Sequence, residues 1–339
     1  MGIEISDIVG LSKPLTRLVE VISKGVGAVS QPYLIRKKAD AKAYEVHTIA
    51  SALKEVADKY HLPVVFKGGE VDVWQKPEDG TLVLNHDLPV IRSNRRVDYQ
   101  QRKCQHNIES ITAAAAEELA GESDVSSELP DEDWISRFFR TAEDVSSTQM
   151  QELWGRILAG EIKKPRSYSL KTLDFVRNLT KDDADMLERL SKLAVSYEGW
   201  PFIPCHNDKW LADKRKIYHS HYFAAGELGA MYPTDLIYRT FRSSEINQET
   251  FIAGNILLIV DRAKITSEIE LPVWKFTNIG KEILQLIKID GDLDQIIELG
   301  RFYVRQRAVV KVADIIERLP NGLINYTNVR EIHHPGKNV

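Results

Sequence analysis

Residues 131–195 read DEDWISRFFRTAEDVSSTQMQELWGRILAGEIKKPRSYSLKTLDFVRNLTKDDADMLERLSKLAV, and the punctuation of this stretch predicts four short helices. Trp134, Phe138 and Phe139 recur at helical spacing on the first. Ser146 with Gln149 makes a capping-box pattern for a second helix that carries Leu153, Trp154, Ile157 and Leu158, and Gly160 and Pro165 end it. Ser169 starts a third with Leu170, Leu173 and Val176. Thr180 with Asp183 caps a fourth that runs through Met186, Leu187, Leu190 and Leu193. Caps and breakers agree at every end, which predicts a compact helical bundle over residues 131–198.

Working toward the N terminus, Gly121 to Pro130 is an acidic, serine-containing linker. Before it, residues 97–119 read as helix, with Ala113 to Ala116 supplying high propensity. The runs VVFKGG, EVDVWQ and GTLVLNHD, from Val64 to Asp87, predict a small β patch. With the helix they make a segment of 61–122. Residues 1–60 read as amphipathic helices. Leu15, Leu18, Val19, Ile22, Val26 and Val29 form one apolar stripe behind Ser12 and Pro14, and a second helix spans 39–60. Arg36, Lys37 and Lys38 lie between the two.

Toward the C terminus, residues 199–330 read as a mixed α/β region with a polar tail at 331–339. Residues 224–242 predict helix, 255–262 a buried strand, and Ile265, Ser267, Ile269, Leu271 and Val273 a half-exposed strand. Helix follows over 277–287, strand over 302–312 and a helical turn over 314–319, with Asn321-Gly322 as a tight turn. The expected fold class is α+β and predominantly helical: a central bundle followed by a mixed, winged-helix-like C-terminal region.

The chain has 339 residues, and 28% of them are charged, which places it among globular chains rather than disordered ones. The 45 Lys and Arg face 49 Asp and Glu, so any nucleic-acid surface must be local. Two cysteines exclude a disulfide framework and predict a cytoplasmic protein. The start, MGIEISDIVG, lacks a secretory signal pattern. The longest apolar run, FIAGNILLIV at 251–260, is half of the roughly 20 residues that a spanning helix needs, so no transmembrane span is expected.

Two runs carry a family likeness: GLSKPLTRLVEVISKGVGAVSQPYLIRKKADAKAYEV at 10–46 and EDWISRFFRTAEDVSSTQMQELWGRILAGEIKKPRSYSLKTLDFVRNLTKDDADML at 132–187. Together they resemble the bacterial family of domain of unknown function 2806. The first run alone is similar in style to the abortive-infection alpha proteins of phage defence. The resemblance implies a bacterial antiviral-defence setting and no catalytic residues.

Phosphate-loop, HExxH, GxSxG and kinase signatures are absent. Cys205, His206, Asp208, His219 and His221 are the one concentration of thiol and imidazole, and so the candidate ligands of a metal or a Cys/His-dependent enzyme. Adjacent Cys and His side chains diverge, which disfavours a common centre, and neither a metal nor another cofactor is expected. Arg92, Arg95, Arg96, Arg102 and Lys103, with Tyr99 among them, are candidate phosphate contacts. The competing reading is a solvated helix start whose arginines pair with the chain's own carboxylates. The N-terminal stripe is the candidate seam of a homo-oligomer, and Arg36, Lys37 and Lys38 are candidates for contact with anionic lipid or a protein partner. The leading expectation is a non-catalytic interaction or regulatory protein. The alternatives are a nucleic-acid-binding protein and a metal- or Cys/His-dependent enzyme.

Overall fold

The computed structural model describes residues 12–27, 64–67, 70–73, 89–234, 237–241, 248–263, 268–287, 289–319 and 322–333, with the backbone alone described at 64–67, 70–73 and 89–92. The chain divides into two compact units, Met1–Ser167 and Tyr168–Val339.

In unit 1, α1 (Lys13–Val26), α2 (Pro89–Leu119), α3 (Glu132–Ala142) and α4 (Thr148–Lys163) pack together, and β1 (Val64–Lys67) pairs antiparallel with β2 (Glu70–Val73). Helix α2 starts eight residues before the periodicity suggested, at a proline suited to a first turn. The α2–α4 crossing is close because both faces are small: a Cβ at Gly155 would stand 2.5 Å from the Cβ of Ala114. Trp134 stacks on Phe138 at 5.0 Å, and Phe138 meets Trp154 at 5.2 Å. The Asp131 side chain caps α3 by accepting from Trp134 N at 3.1 Å. Ser147, not Ser146, is the N-cap of α4, and it makes no side-chain cap. The Ser146 hydroxyl lies 3.3 Å from the Asn107 amide that donates to it.

Unit 2 begins with α5 (Leu170–Arg177) and α6 (Lys181–Ser191), which are capped by Ser169 and by the reciprocal Thr180–Asp183 box. Then come β3 (Val195–Tyr197), β4 (Trp200–Pro204), a helical turn Asp208–Trp210 running into a π-helical turn Leu211–Arg215, and α7 (His219–Glu227). The rest is β5 (Ile237–Phe241), β6 (Gln248–Ala253), β7 (Ile256–Asp261), β8 (Ile269–Lys275), α8 (Asn278–Leu284), α9 (Leu293–Arg305), β9 (Val309–Arg318) and β10 (Ile324–Glu331). Eight of these strands form one antiparallel sheet in the order β10-β9-β7-β6-β3-β4-β8-β5.

One core joins Phe251, Leu258, Val260 and Val310 of the sheet to Ile296, Leu299 and Tyr303 of α9. Another joins Ile203 and Trp274 to Leu187 and Leu190 of α6 and Tyr222 of α7. Strand β7 uses both of its faces, Leu258 and Val260 in the first core and Leu257 and Ile259 in a third with Ala313, which is why its sequence is continuously apolar.

This architecture corrects the expectation of a predominantly helical chain with a winged-helix-like end. The helices of 131–195 divide between the two units, and unit 2 is organised by an eight-stranded sheet. Residues 302–305 complete α9 and 314–318 belong to β9, reversing the local expectations there. The apolar spacing of RFYVRQRAVV suits either period, and the break between helix and strand falls at Arg307, whose φ is 70°. Strand β5 lies inside the stretch expected to be helical. It is five residues long and takes its conformation from pairing along β8.

Candidate functional site

The basic cluster lies on α2. From residue 93 to residue 103 every side chain of this helix is exposed. At about 100° per residue, Arg95, Arg96, Tyr99, Arg102 and Lys103 fall within an arc of about 120°, with Tyr99 near its centre and Asp98 outside it. Tyr99 is 69% exposed. Among the described residues no ion pair reaches Arg96, Arg102 or Lys103. Only the backbone of Arg92 is described. The opposite arc, Val97, Gln100, Gln101, Cys104 and Ile108, turns toward a hollow of about 560 Å³ that Gly25, Val26 and Glu143 also line. The sequence placed the cationic residues in one segment; the helix places them on one face.

Unit 2 assembles a second cationic and aromatic surface. The β3–β4 hairpin turns through Glu198 and Gly199, whose φ values of 48° and 75° fit a type I′ turn. The turn sets Trp200 at the start of β4 opposite Tyr197. The Lys275 ammonium of β8 lies 5.4 Å from the Trp200 ring and 5.5 Å from the Tyr232 ring, and Lys281 of α8 lies 4.8 Å from Trp200. Beside them is a hollow of about 440 Å³ whose only charged lining residues, among those described, are Lys281 and Arg318. Trp200, Lys275 and Lys281 were not foreseen as a group, because they come from three separated segments. The Glu198-Gly199 pair was the one local signal that a hairpin presents Trp200.

The thiol and imidazole groups go to different places. Cys205 is half-buried, and burial, helped by the Asp208 charge, pushes its thiol up to about 12. His206 packs against Phe302 at 4.9 Å with neither ring nitrogen hydrogen-bonded, and burial pushes it down to about 4. His221 Nδ1 accepts from Tyr218 N at 3.0 Å at the start of α7. His219 Nε2 lies 3.9 Å from Asp208 Oδ2, beside Trp274. Among the described residues no three His, Cys, Asp or Glu side chains are grouped to hold a metal ion. The neighbouring residues are structural: Asn207 donates to Glu298 Oε1 at 3.0 Å, and Arg215 pairs with Asp292 and, at 2.8 Å, with Asp294, tying the π-helical turn to the start of α9.

Of the N-terminal stripe, Leu18, Val19 and Ile22 are buried inside unit 1, while Leu15 and Val26 are half-buried. This packing accounts for their apolar character, so the stripe itself carries no argument for a second subunit. Val29, Arg36, Lys37 and Lys38 lie outside the described residues. No helix of the described residues is long and apolar enough to cross a membrane.

A family model described as "Protein of unknown function (DUF2806)" matches residues 91–297. The match takes in the central run at 132–187 and does not reach the N-terminal run at 10–46, whose expected similarity to abortive-infection proteins is not shown. No curated protein and no solved structure matches the chain.

Proposed function

The chain belongs to the DUF2806 family, and since that family's description records no activity, we propose from the geometry of α2 that it is a nucleic-acid-binding protein. The observation that carries this reading is the single exposed arc of Arg95, Arg96, Tyr99, Arg102 and Lys103. Residues 95 to 103 span about 12 Å of helix axis, the scale of several phosphates on a strand that carries one per roughly 3.4 Å. A tyrosine within the cationic arc adds a stacking face for an unpaired base. A lipid-binding helix would instead carry large apolar residues opposite its cations. The opposite arc here carries Val97 as its one exposed large apolar residue, alongside Gln100, Gln101 and Cys104, while Ile108 is buried.

The test is anisotropy titration of the full chain against labelled duplex and single-stranded DNA across a range of salt concentrations. The expected result is salt-sensitive binding that the Arg96→Glu, Arg102→Glu double variant weakens about tenfold or more, with a log–log salt slope shallower by about two phosphates. Gln101→Ala, on the opposite arc, is expected to bind as the wild type does. Absence of salt-sensitive binding, or equal binding by the double variant, overturns the reading.

A further inference from the structure

We propose that the hollow beside Trp200 in unit 2 is a nucleotide site, with the base against the exposed indole and the phosphate held between Lys281 and Arg318. This site is separate from the α2 arc and stands on different observations. The hollow, about 440 Å³, has the size of a small-ligand pocket. Its lining is largely apolar, with Val195, Ile252, Leu284 and Ile289, and includes Ser196 and Asn255 as hydrogen-bonding residues. Among the described residues no carboxylate lines it. The nearby Asp290 lines a neighbouring hollow instead, together with Arg215. Two cations in a largely apolar lining, with no carboxylate among the described lining residues, call for a ligand that brings negative charge at one end.

Trp200 supplies the second half of the chemistry. It is 46% exposed, large for a tryptophan that the fold could have buried. Lys281 joins the two halves, since its ammonium lies 4.8 Å from the Trp200 ring and also lines the hollow. Arg318 is oriented by the hydrogen bond it donates to Gly254 O at 2.5 Å, which leaves guanidinium N–H groups for phosphate oxygens. A flat ring next to a phosphate is the chemistry of a nucleoside phosphate. Inorganic phosphate alone would leave the indole unused.

The experiment is a calorimetric titration of the full chain with AMP, repeated with inorganic phosphate. The expected result is one saturable AMP site per chain, with phosphate binding at least tenfold weaker. Trp200→Ala is expected to lose about tenfold or more in AMP affinity, the size of a lost base–aromatic stack, and Lys281→Gln and Arg318→Gln are expected to weaken AMP and phosphate alike. The Arg96→Glu, Arg102→Glu variant is expected to bind AMP normally, which separates this site from the α2 arc. No AMP binding, phosphate binding as tightly as AMP, or AMP binding unchanged in Trp200→Ala and Lys281→Gln overturns the proposal.

Discussion

Two buried polar clusters, one in each unit, treat their polar groups in opposite ways. In unit 1, Asn107 and Gln151 are 1% and 4% exposed and well partnered. The Asn107 amide donates to Glu143 O at 2.6 Å, and the Gln151 amide donates to Asn107 Oδ1 at 3.2 Å and to Val145 O at 2.9 Å. Their work is to pin the loop between α3 and α4. In unit 2, Glu249 pairs with Arg262 among the rings of Tyr197, Phe241, Phe251 and Tyr303, yet Glu249 Oε2 and the Tyr303 hydroxyl have no hydrogen-bond partner among the described residues. Burial raises both Tyr303 and Tyr197, and the Glu249 charge adds to it. Polar groups that fix a loop make a unit rigid; polar groups left short of partners make it sensitive to their own protonation.

The largest effect is expected at Glu249. Glu249→Ala leaves the Arg262 guanidinium, 4% exposed as a residue, without its carboxylate, a loss of about 3–5 kcal/mol. Hydrogen exchange should show it as faster opening of β6 and β7 with unit 1 amides unchanged. Glu249→Gln tests the protonation. Burial raises Glu249 from its ordinary 4.5 to about 7, against the pull of Arg262. The folded chain therefore holds this proton more tightly than the unfolded one, so the contribution is fully present below about pH 4.5 and is lost as the pH rises through about 7. His206, depressed from 6.5 to about 4, acts in reverse, its contribution being lost as the pH falls through about 4. Subtracting wild type from Glu249→Gln cancels His206, and the difference should move in the variant's favour between pH 4.5 and 7. A difference flat across that window removes Glu249 from the account.

A smaller loss is expected at the helix crossing of unit 1. Gly155→Val places a branched side chain where even a Cβ would stand 2.5 Å from Ala114 Cβ and 3.0 Å from Ala115 N, so α2 and α4 must separate. The expected cost is roughly 1–3 kcal/mol. Exchange should speed up in α2 and α4 while the sheet of unit 2 keeps its protection. If both units open together, the contrast drawn above describes one cooperative body and has to be given up.

The helices that cap themselves were legible in the sequence, because Ser169, Thr180 and Asp183 act within three residues of the backbone they serve. The sheet was less so. Strand β7 announced itself through ILLIV, whereas β10 is mostly polar and is paired, among the described residues, only along β9, and β6, apolar only in its second half, joins β3 through the distant pairing of Ile252 with Ser196. The candidate sites divide in the same way. The α2 arc was visible as a cluster of arginines because one helix carries all of it. The Trp200 surface depends on a β8 lysine and an α8 lysine that the fold alone brings to the β3–β4 turn.

The smallest effects test the contrast most directly, because they remove one polar group from each interior. Asn107→Ala deletes an amide that bridges Glu143 O, Ser146 Oγ and Gln151, and it leaves the Gln151 amide with Val145 O alone, so unit 1 should lose about 2 kcal/mol. Tyr303→Phe deletes a hydroxyl that is buried without a partner, while the ring contacts with Phe241, Phe251 and Phe302 remain. Removing an unsatisfied polar atom relieves its desolvation cost, so unit 2 should be unchanged or slightly more stable. Denaturant titration of the two variants, read with unit-specific exchange, decides the matter. A Tyr303→Phe loss as large as that of Asn107→Ala would mean that the hydroxyl has an ordered partner, and that the Glu249 cluster of unit 2 is as well satisfied as the Asn107 cluster of unit 1.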